Sequence, residues 1–402
     1  MPAGEPALRG WRRLASGRGM ATCSGQEDVL LAIEHRPETE EELAALIRAA
    51  PDGGVAIAGG GTRGGASGAE RLSTRGLAGI THYEPGALTL VVRAGTPLVE
   101  VEAVLAAEGQ MLPFEPWDAR PLTGAEGAPT VGGMAAVNAS GPRRIQAGAC
   151  RDGMIGVRFV DGTGTVVKNG GRVMKNVTGL DLVKLLAGSH GTLGVLTEVG
   201  FKLLPRPETT LTLVFDGLDP ATAGSVMRAA LATPYQVSGA AHLAARTMLR
   251  LEGFAASVEH RARALAAALG RFGTARAEEG PDGWAPVRDA AAFSGRDGAV
   301  WRISVRPTDG PPLAARLAPA EAILDWGGGL LWVLADPDTD VRAAMAGIPG
   351  HATLVRACEP ARARWGVFHP EPPAVAALAA ALRARFDPAG VLNPGRMDPV
   401  AA

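Results

Sequence analysis

Helical and strand-like spacing of apolar residues alternate along the first part of the chain. Thr39 and Glu42 have capping-box spacing ahead of apolar residues three and four apart, which predicts a helix over residues 40–50. The apolar run at 55–58 predicts a short buried strand that ends at a glycine-rich segment. Alternation at 88–92 predicts another strand. This mixture indicates a fold that contains both sheets and helices.

Further elements follow up to a proline-rich segment. Thr96 before Pro97 predicts the start of a helix that carries three apolar residues on one face. Two apolar runs, 157–160 and 165–167, flank an Asp-Gly pair, which favours a hairpin. Alternation over 195–203 predicts a long half-buried strand that ends before Pro205 and Pro207.

The second half of the chain alternates strand-like and helical stretches, which predicts a sheet backed by helices. The strand-like runs are 211–215, 249–252, 301–305, 322–326 and 330–334, and the helical stretches are 221–232, 258–269, 341–345 and 374–386. The proline pair is the best boundary between domains. We expect a tail at 1–25, a first domain at 26–205, a second at 206–360, and a C-terminal return to the first domain at 361–402.

Composition narrows the classes of function. The chain has 402 residues, enough for two or three domains, and its 54 glycines are about twice the usual share of roughly 7%. These glycines cluster between apolar runs, which favours ligand-binding loops over disorder. The formal net charge is −1, so nothing attracts the chain to nucleic acid, and no apolar stretch is long enough for a transmembrane helix.

Cysteine usage argues against a resident metal centre. Cys23, Cys150 and Cys358 lie far apart and show none of the spacings typical of zinc or iron–sulfur sites. Three thiols without a pairing pattern are typical of a reducing compartment. We therefore expect a cytoplasmic protein without a metal site.

The first glycine cluster contains a Rossmann-like motif. Gly59, Gly61 and Gly64 have the spacing of the dinucleotide fingerprint, and Glu84 lies about twenty residues further on. That fingerprint requires a helix to begin at the loop. Glycine costs roughly 1 kcal/mol per residue in a helix, and several more glycines follow here. The sequence therefore favours an extended loop over a Rossmann turn, and a merely flexible loop is the structural alternative.

Three other segments accompany this cluster in a fixed order. They are Thr130-Val131-Gly132-Gly133 with Asn138-Ala139-Ser140-Gly141, then Gly188-Ser189-His190-Gly191-Thr192-Leu193-Gly194, and finally the C-terminal run from Phe386 to Gly395. Together they resemble the FAD-binding domain of the vanillyl-alcohol oxidase and para-cresol methylhydroxylase superfamily. The resemblance implies an α+β fold, with a two-subdomain FAD-binding domain of the vanillyl-alcohol oxidase type. It also implies an α/β cap domain with a mainly antiparallel sheet.

Shorter motifs narrow the resemblance. The stretches at 132–134, 140–144, 173–181 and 350–354 are similar to those of the FAD-binding E subunits of bacterial glycolate oxidase. This family implies an FAD-dependent oxidoreductase subunit that supports oxidation of glycolate, a small 2-hydroxy acid, to glyoxylate. The implied partners are a paralogous D-type FAD subunit and an iron–sulfur F-type subunit that receives electrons. Through these two partners, the chain could also be held peripherally at the inner membrane.

The resemblance also implies which residues bind FAD. Residues Gly59, Gly60, Gly61, Thr62, Arg63, Gly64 and Gly65 are expected to wrap the pyrophosphate. Gly132, Gly133, Ser140 and Gly141 are expected near the flavin and diphosphate, and Gly188, Gly191, Gly194 and Val195 on the adenosine side. Some superfamily members attach the flavin through a histidine in the first loop. Residues 59–65 contain no histidine, so we expect non-covalent FAD.

The catalytic residues are harder to identify. The seven histidines include no His-x-His pair, so a metal-assisted site is not expected. His351 and Arg356 lie on a predicted strand and form a candidate substrate-facing pair. The alternative is that they have a structural role or lie on a partner surface. Lys175 and Asn176 are further candidates for the flavin rim.

Two other functions stay open at this stage. The first is an autonomous FAD-dependent oxidase or dehydrogenase of another hydroxy acid or alcohol. The second is a structural subunit without redox turnover.

Overall fold

A computed structural model describes residues 33–64, 68–171 and 179–397. The tail at 1–25, Gly65, Lys175 and Asn176 lie outside the described residues.

The described strands fall into four sheets. In chain order they are β1 (Glu34–His35), β2 (Val55–Ala58), β3 (Glu70–Ser73), β4 (Ile80–Glu84), β5 (Thr89–Arg93), β6 (Gln110–Met111), β7 (Met154–Val160), β8 (Val166–Gly170), β9 (Val195–Lys202), β10 (Leu204–Pro205), β11 (Thr209–Asp216), β12 (Gly239–Leu243), β13 (Arg246–Gly253), β14 (Arg276–Glu279), β15 (Ala299–Val305), β16 (Glu321–Asp325), β17 (Leu330–Ala335) and β18 (Gly350–Arg356).

The described α-helices are mostly short. They are α1 (Glu40–Arg48), α2 (Leu98–Ala107), α3 (Arg120–Thr123), α4 (Val131–Ala136), α5 (Arg144–Ala147), α6 (Cys150–Gly153), α7 (Leu182–Leu186), α8 (Pro220–Leu231), α9 (Ala255–Ala268), α10 (Ala285–Arg288), α11 (Gly310–Arg316), α12 (Val341–Ala344), α13 (Glu359–Trp365) and α14 (Pro373–Phe386). No helix among these is long and apolar enough to cross a bilayer.

Residues 34–202 supply two sheets of different kinds. The first has the order β1-β3-β2 and is parallel. The second has the order β4-β5-β9-β7-β8 and is antiparallel, with the expected hairpin formed by β7 and β8. The two sheets match the expected two-subdomain arrangement, and the α+β fold class is confirmed.

The cap sheet, which we define as the eight strands within 209–356, is antiparallel throughout. Its order is β14-β11-β13-β12-β16-β17-β15-β18. We propose that 26–205 and 206–360 are separate domains, because the cap sheet contains no strand from the first of these ranges.

The two faces of the cap sheet pack against different partners. Alternate residues such as Trp301, Ile303 and Leu331 join a core with helices α8, α9 and α11. Their neighbours on the opposite face, such as Trp332, pack into a second core, which includes Phe114 from the first part of the chain. Because successive strand residues point to opposite faces, one strand serves both cores. This arrangement packs one face of the cap sheet against the part of the chain that contains the glycine segments.

Two local expectations need correction. Thr96 does not cap helix α2. Its hydroxyl donates to Arg93 O at 2.7 Å and accepts from Gly79 N at 2.9 Å, and Pro97 is the capping residue. Strand β9 is buried on both faces and not on one, because it lies at the centre of its sheet with α4 against it. By contrast, helix α1 starts as expected, with Thr39 Oγ1 accepting from Glu42 N.

Candidate functional site

In the first glycine loop, residues 59–64, the main-chain N–H groups have no acceptor in the part of the chain that the structure describes. Its carbonyls are bound instead: Arg75 donates to Gly60 O at 3.3 Å and Thr123 donates to Thr62 O at 3.3 Å. None of the six N–H groups from 59 to 64 donates a hydrogen bond to another described residue. Free amides in one short loop are suited to bind phosphate oxygens. No helix follows within the described residues, since the next element is β3, so the Rossmann reading is wrong.

Close packing explains two of these glycines. A Cβ at Gly60 would lie 1.7 Å from Ala128 O, and one at Gly59 would lie 2.1 Å from Thr130 Oγ1. These positions require glycine because the loop is pressed against the segment that leads into helix α4. The first loop and the second glycine segment are therefore one structural unit.

The second segment positions the site without offering free amides at its glycines. Gly132 N donates to Ala94 O at 2.7 Å, and Gly133 N donates to the capping Thr130 Oγ1 at 3.3 Å. Ser140 Oγ donates to Asn138 O and accepts from Cys150 N at 2.9 Å. These contacts fix helix α4 and the turn that follows it.

Gly141 ties this segment to the cap sheet. Its N–H donates to Phe114 O at 2.9 Å, and its carbonyl accepts from Trp326 Nε1 at 3.0 Å. A Cβ there would lie 2.4 Å from Glu115 O. Glycine is therefore needed at this position for packing between the two parts of the chain.

The third segment docks on the end of helix α4. His190 N donates to Ala136 O at 2.9 Å, and Gly188 N donates to Ala135 O at 3.3 Å. Asn393, from the C-terminal return, donates to His190 O at 2.9 Å and accepts from Ile57 N at 2.7 Å. The side chain of Asn393 thus joins the third segment to strand β2, just before the first loop.

The remaining residues of the third segment differ in what they can contact. Gly191 has φ of +76°, which favours glycine, and a Cβ there would lie 2.8 Å from the Asn393 amide nitrogen. A Cβ at Gly194 would lie 2.5 Å from the Phe159 ring, and Val195 is buried in an apolar core. Gly194 and Val195 therefore pack against the protein interior and hold the third segment in place.

A cavity of about 80 Å³ lies where these segments meet the cap sheet. Its lining residues come from the glycine segments, strands β15 and β18, and the C-terminal return: Arg63, Gly64, Trp117, Ala119, Thr123, Val137, His190, Arg302, Thr353, Leu354, Val355, Arg362, Val367, Phe368 and Arg396. Four of these side chains are arginines, and none is a carboxylate. The cavity is therefore strongly electropositive.

Burial changes the protonation of groups around this cavity. It lowers the pKa values of Arg63, Arg302 and Arg396 to about 10, so all three stay charged at neutral pH. Burial, followed by the charges of Arg396 and Arg63, lowers the pKa of His190 to about 3. The His190 imidazole is therefore neutral, and its ring lies edge-on to Phe368 with centroids 4.7 Å apart.

The two candidate catalytic residues occupy different environments. His351 lies exposed at the start of β18, opposite Ser304, and partial burial followed by the charge of Arg302 lowers its pKa. Arg356 donates to Leu122 O at 3.1 Å and to Phe293 O at 3.0 Å. Because its guanidinium already binds main-chain carbonyls, Arg356 is a poor candidate for binding a substrate.

A buried ionic network joins Glu115 and Arg143, from the first part of the chain, to the cap sheet. Arg250 donates to both oxygens of Glu115 at 2.8 Å, and Arg143 donates to Glu252 at 2.7 Å and 3.1 Å. Sequence reasoning missed this network, because its members lie far apart in the chain. Asp325 lies nearby and is 1% exposed, and burial raises its pKa to about 7.

The described residues contain no group of three or more potential metal ligands. Cys150 is buried and Cys358 is half-buried, and both are free thiols. Burial raises the pKa of the Cys150 thiol well above its usual range. This thiol is therefore protonated at neutral pH and unsuited to metal binding.

Comparison with known proteins is consistent with this geometry. The family model of an FAD binding domain matches residues 32–170. Glycolate oxidase subunit GlcE of Escherichia coli is 36% identical over 332 residues, which is 82% of this chain and 87% of that protein. Glycolate oxidase subunit GlcD of Bacillus subtilis is 34% identical over 33% of this chain and 27% of that protein.

A solved structure supports the overall fold. An alkyldihydroxyacetonephosphate synthase superposes with a TM-score of 0.63 and 15% identity, over 90% of this chain and 77% of that one.

Proposed function

The chain belongs to the GlcE family of glycolate oxidase subunits, and we propose that it is the FAD-binding subunit of a glycolate oxidase complex. In this role it supports oxidation of glycolate to glyoxylate. It is an FAD-dependent oxidoreductase subunit, and its electrons pass to an iron–sulfur partner. The observation that carries the proposal is that the main-chain N–H groups of residues 59–64 donate to no other described residue. They can therefore donate to a bound ligand.

The residues present fit an anionic dinucleotide. FAD carries a pyrophosphate, and free amides with nearby arginines stabilise such a group by charge-assisted hydrogen bonds, each worth roughly 1.5–3 kcal/mol. Residues 59–64 would bind the pyrophosphate, and Gly191 adds a further loop with left-handed backbone beside Asn393. When bound, FAD supplies the acceptor for hydride removed from an alcohol carbon.

The chain's own residues have positioning roles in this proposal. Gly132, Gly133, Ser140 and Gly141 hold helix α4 and its following turn beneath the cofactor region. Gly188, Gly194 and Val195 support the third segment. His351 stays our candidate proton acceptor, although it is exposed at the start of β18 and is not among the residues that line the cavity.

Hydrogen exchange tests the location of the cofactor. FAD is removed from the purified chain and added back, and amide exchange is followed with and without FAD. We expect exchange at residues 59–64 to slow on FAD addition, while the hydrogen-bonded amides of α2 serve as the unchanged control. Unchanged exchange at 59–64 with saturating FAD would contradict the proposed site.

A second experiment tests the subunit assignment. We propose that a D-type FAD subunit and an iron–sulfur F-type subunit assemble with this chain, in the cytoplasm or at the inner face of the membrane. The purified chain, loaded with FAD and given a dye acceptor, should turn over glycolate slowly or not at all. Turnover should appear with the partners, and rapid turnover without them would favour an autonomous dehydrogenase. Isolation of the chain from native extract tests which partners co-purify.

A further inference from the structure

Three arginines that line the electropositive cavity have a buried N–H group without an acceptor among the described residues. Arg63 Nη1, Arg302 Nε and Arg362 Nη2 are shielded from solvent and have no hydrogen-bond partner among the described residues. A shielded donor without an acceptor costs roughly 1–3 kcal/mol, and more when the group is charged. Such a cost is sustained where a ligand supplies the acceptor.

The ionic network between the two parts of the chain provides an internal comparison. Arg250 is 1% exposed and binds both oxygens of Glu115, and Arg143 binds both oxygens of Glu252. In both pairs the buried arginine has a carboxylate as its hydrogen-bond partner. The arginines around the cavity receive none from its lining residues. Asp325 acts on Arg302 and Asp118 on Arg63 only through charge, without a hydrogen bond to either guanidinium. A small anion in the cavity would supply the hydrogen-bond acceptor that these carboxylates do not.

Aromatic rings hold these guanidinium groups without using their N–H donors. The guanidinium carbon of Arg302 lies 5.0 Å from the Trp326 ring centroid and 5.7 Å from that of Trp332. The guanidinium of Arg302 donates no hydrogen bond to a described residue. Cation–π contacts orient an arginine while its N–H edge stays available. Arg302 is thus pre-positioned for a planar acceptor.

The position and size of the cavity define the class of anion. Arg302 on β15 is directly opposite Thr353 on β18 in the cap sheet, and both line the cavity. A volume of about 80 Å³ holds roughly five to eight water-sized groups, at 10–15 Å³ each. This is the size of a two- to four-carbon carboxylate and is far too small for a dinucleotide.

We infer that Arg302, with Thr353 beside it, is the recognition site for the carboxylate of a small organic acid on the cap side of this cavity. The inference deepens the proposed function, on which it rests, and it replaces Arg356 with Arg302 as the substrate-facing arginine. The guanidinium of Arg302 donates to the carboxylate, and the Thr353 hydroxyl adds a further hydrogen bond. No covalent step is involved.

Calorimetric titration of the purified chain with oxalate tests this site, because oxalate is a compact carboxylate that cannot be oxidised as an alcohol. We expect Arg302→Met to raise the dissociation constant for oxalate by roughly 10–100-fold, the loss of one charge-assisted hydrogen bond. Arg306→Met is the matched control, because Arg306 lies just past the same strand and its side chain is 67% exposed. Thr353→Val should weaken binding by a smaller factor.

Several outcomes would overturn the inference. These are failure of the wild-type chain to bind oxalate, equal weakening in the Arg302 and Arg306 variants, and binding of inorganic phosphate as tight as that of oxalate. If Arg302→Met does not fold, the Thr353→Val variant replaces it as the test. A dissociation constant for oxalate equal to that of the wild-type chain would then contradict the site. The flavin absorbance of each preparation is measured in addition to oxalate binding, so that the two proposals are tested independently. A chain without FAD contradicts the proposed function, whereas the calorimetric result judges the carboxylate site by itself.

Discussion

The guanidinium of Arg250 donates two hydrogen bonds of 2.8 Å to the carboxylate of Glu115. Arg250 lies in the cap sheet, and Glu115 lies in the FAD-binding part. Glu115 also accepts from the Arg143 main-chain N–H at 2.7 Å. Burial by itself raises the pKa of Glu115, but the charge of Arg250 and its hydrogen bonds more than offset this, so the net pKa is lowered. The carboxylate is therefore ionised and couples the two parts of the chain.

Glu115→Ala is expected to destabilise the fold strongly. It leaves the guanidinium of a nearly inaccessible arginine without its main partner, and breaking a buried pair in this way costs roughly 3–5 kcal/mol. The free energy of unfolding in urea measures the effect. Glu259→Ala is the control, because Glu259 is 67% exposed and pairs only with Arg263, a contact worth at most about 1 kcal/mol. Equal losses in the two variants would contradict the structural role of Glu115.

Asp325→Asn is expected to change how stability depends on pH. Burial raises the pKa of Asp325 from 3.8 to about 7, so in this interval the folded chain holds a proton that the unfolded chain has lost. Wild-type stability then falls as pH rises through this window, by up to about 1.4 kcal/mol per pH unit. The asparagine variant should lack this contribution and gain stability relative to wild type from pH 3.8 to about 7. If the free energy of unfolding changes with pH in the same way for the two proteins across that range, the prediction is wrong.

Gly60→Ala is expected to disturb both the fold and FAD binding. The new Cβ would lie 1.7 Å from Ala128 O, so the loop must move away from the segment that precedes helix α4. Overpacking of this kind typically costs 1–3 kcal/mol. Retained flavin absorbance and thermal unfolding measure the result. Gly270→Ala is the control, because no heavy atom lies within 4 Å of a Cβ at that position, and wild-type flavin content in Gly60→Ala would argue against the loop as the cofactor site.

The flavin is expected to dissociate when the protein is denatured. Residues 59–65 contain no histidine, so the first loop offers no attachment residue of the kind used by covalent relatives. After acid precipitation, all flavin absorbance should appear in the supernatant. Flavin that stays with the precipitate after washing would show a covalent bond.

Local pattern was sufficient to predict most of the secondary structure. The strand at Val55–Ala58 and the helix at Glu40–Arg48 follow from apolar spacing and a capping threonine, which are properties of neighbouring residues. Thr96 was assigned wrongly because its hydroxyl binds Gly79, a residue outside the helix. Strand β9 was expected to have one exposed face, because sequence alternation does not report what covers the second face.

The sequence by itself determined that glycine-rich loops lie between apolar runs, because glycine clusters are a local property of the backbone, and the resemblance of these segments to a known family implied that they bind FAD. Tertiary structure alone decided the role of each residue in them. Gly132 and Gly141 serve packing, whereas the main-chain N–H groups at 59–64 donate to no other described residue. The same applies to the arginines. Arg250 donates to a carboxylate and Arg302 donates to no described residue, and this difference depends on residues distant in the chain that folding brings together.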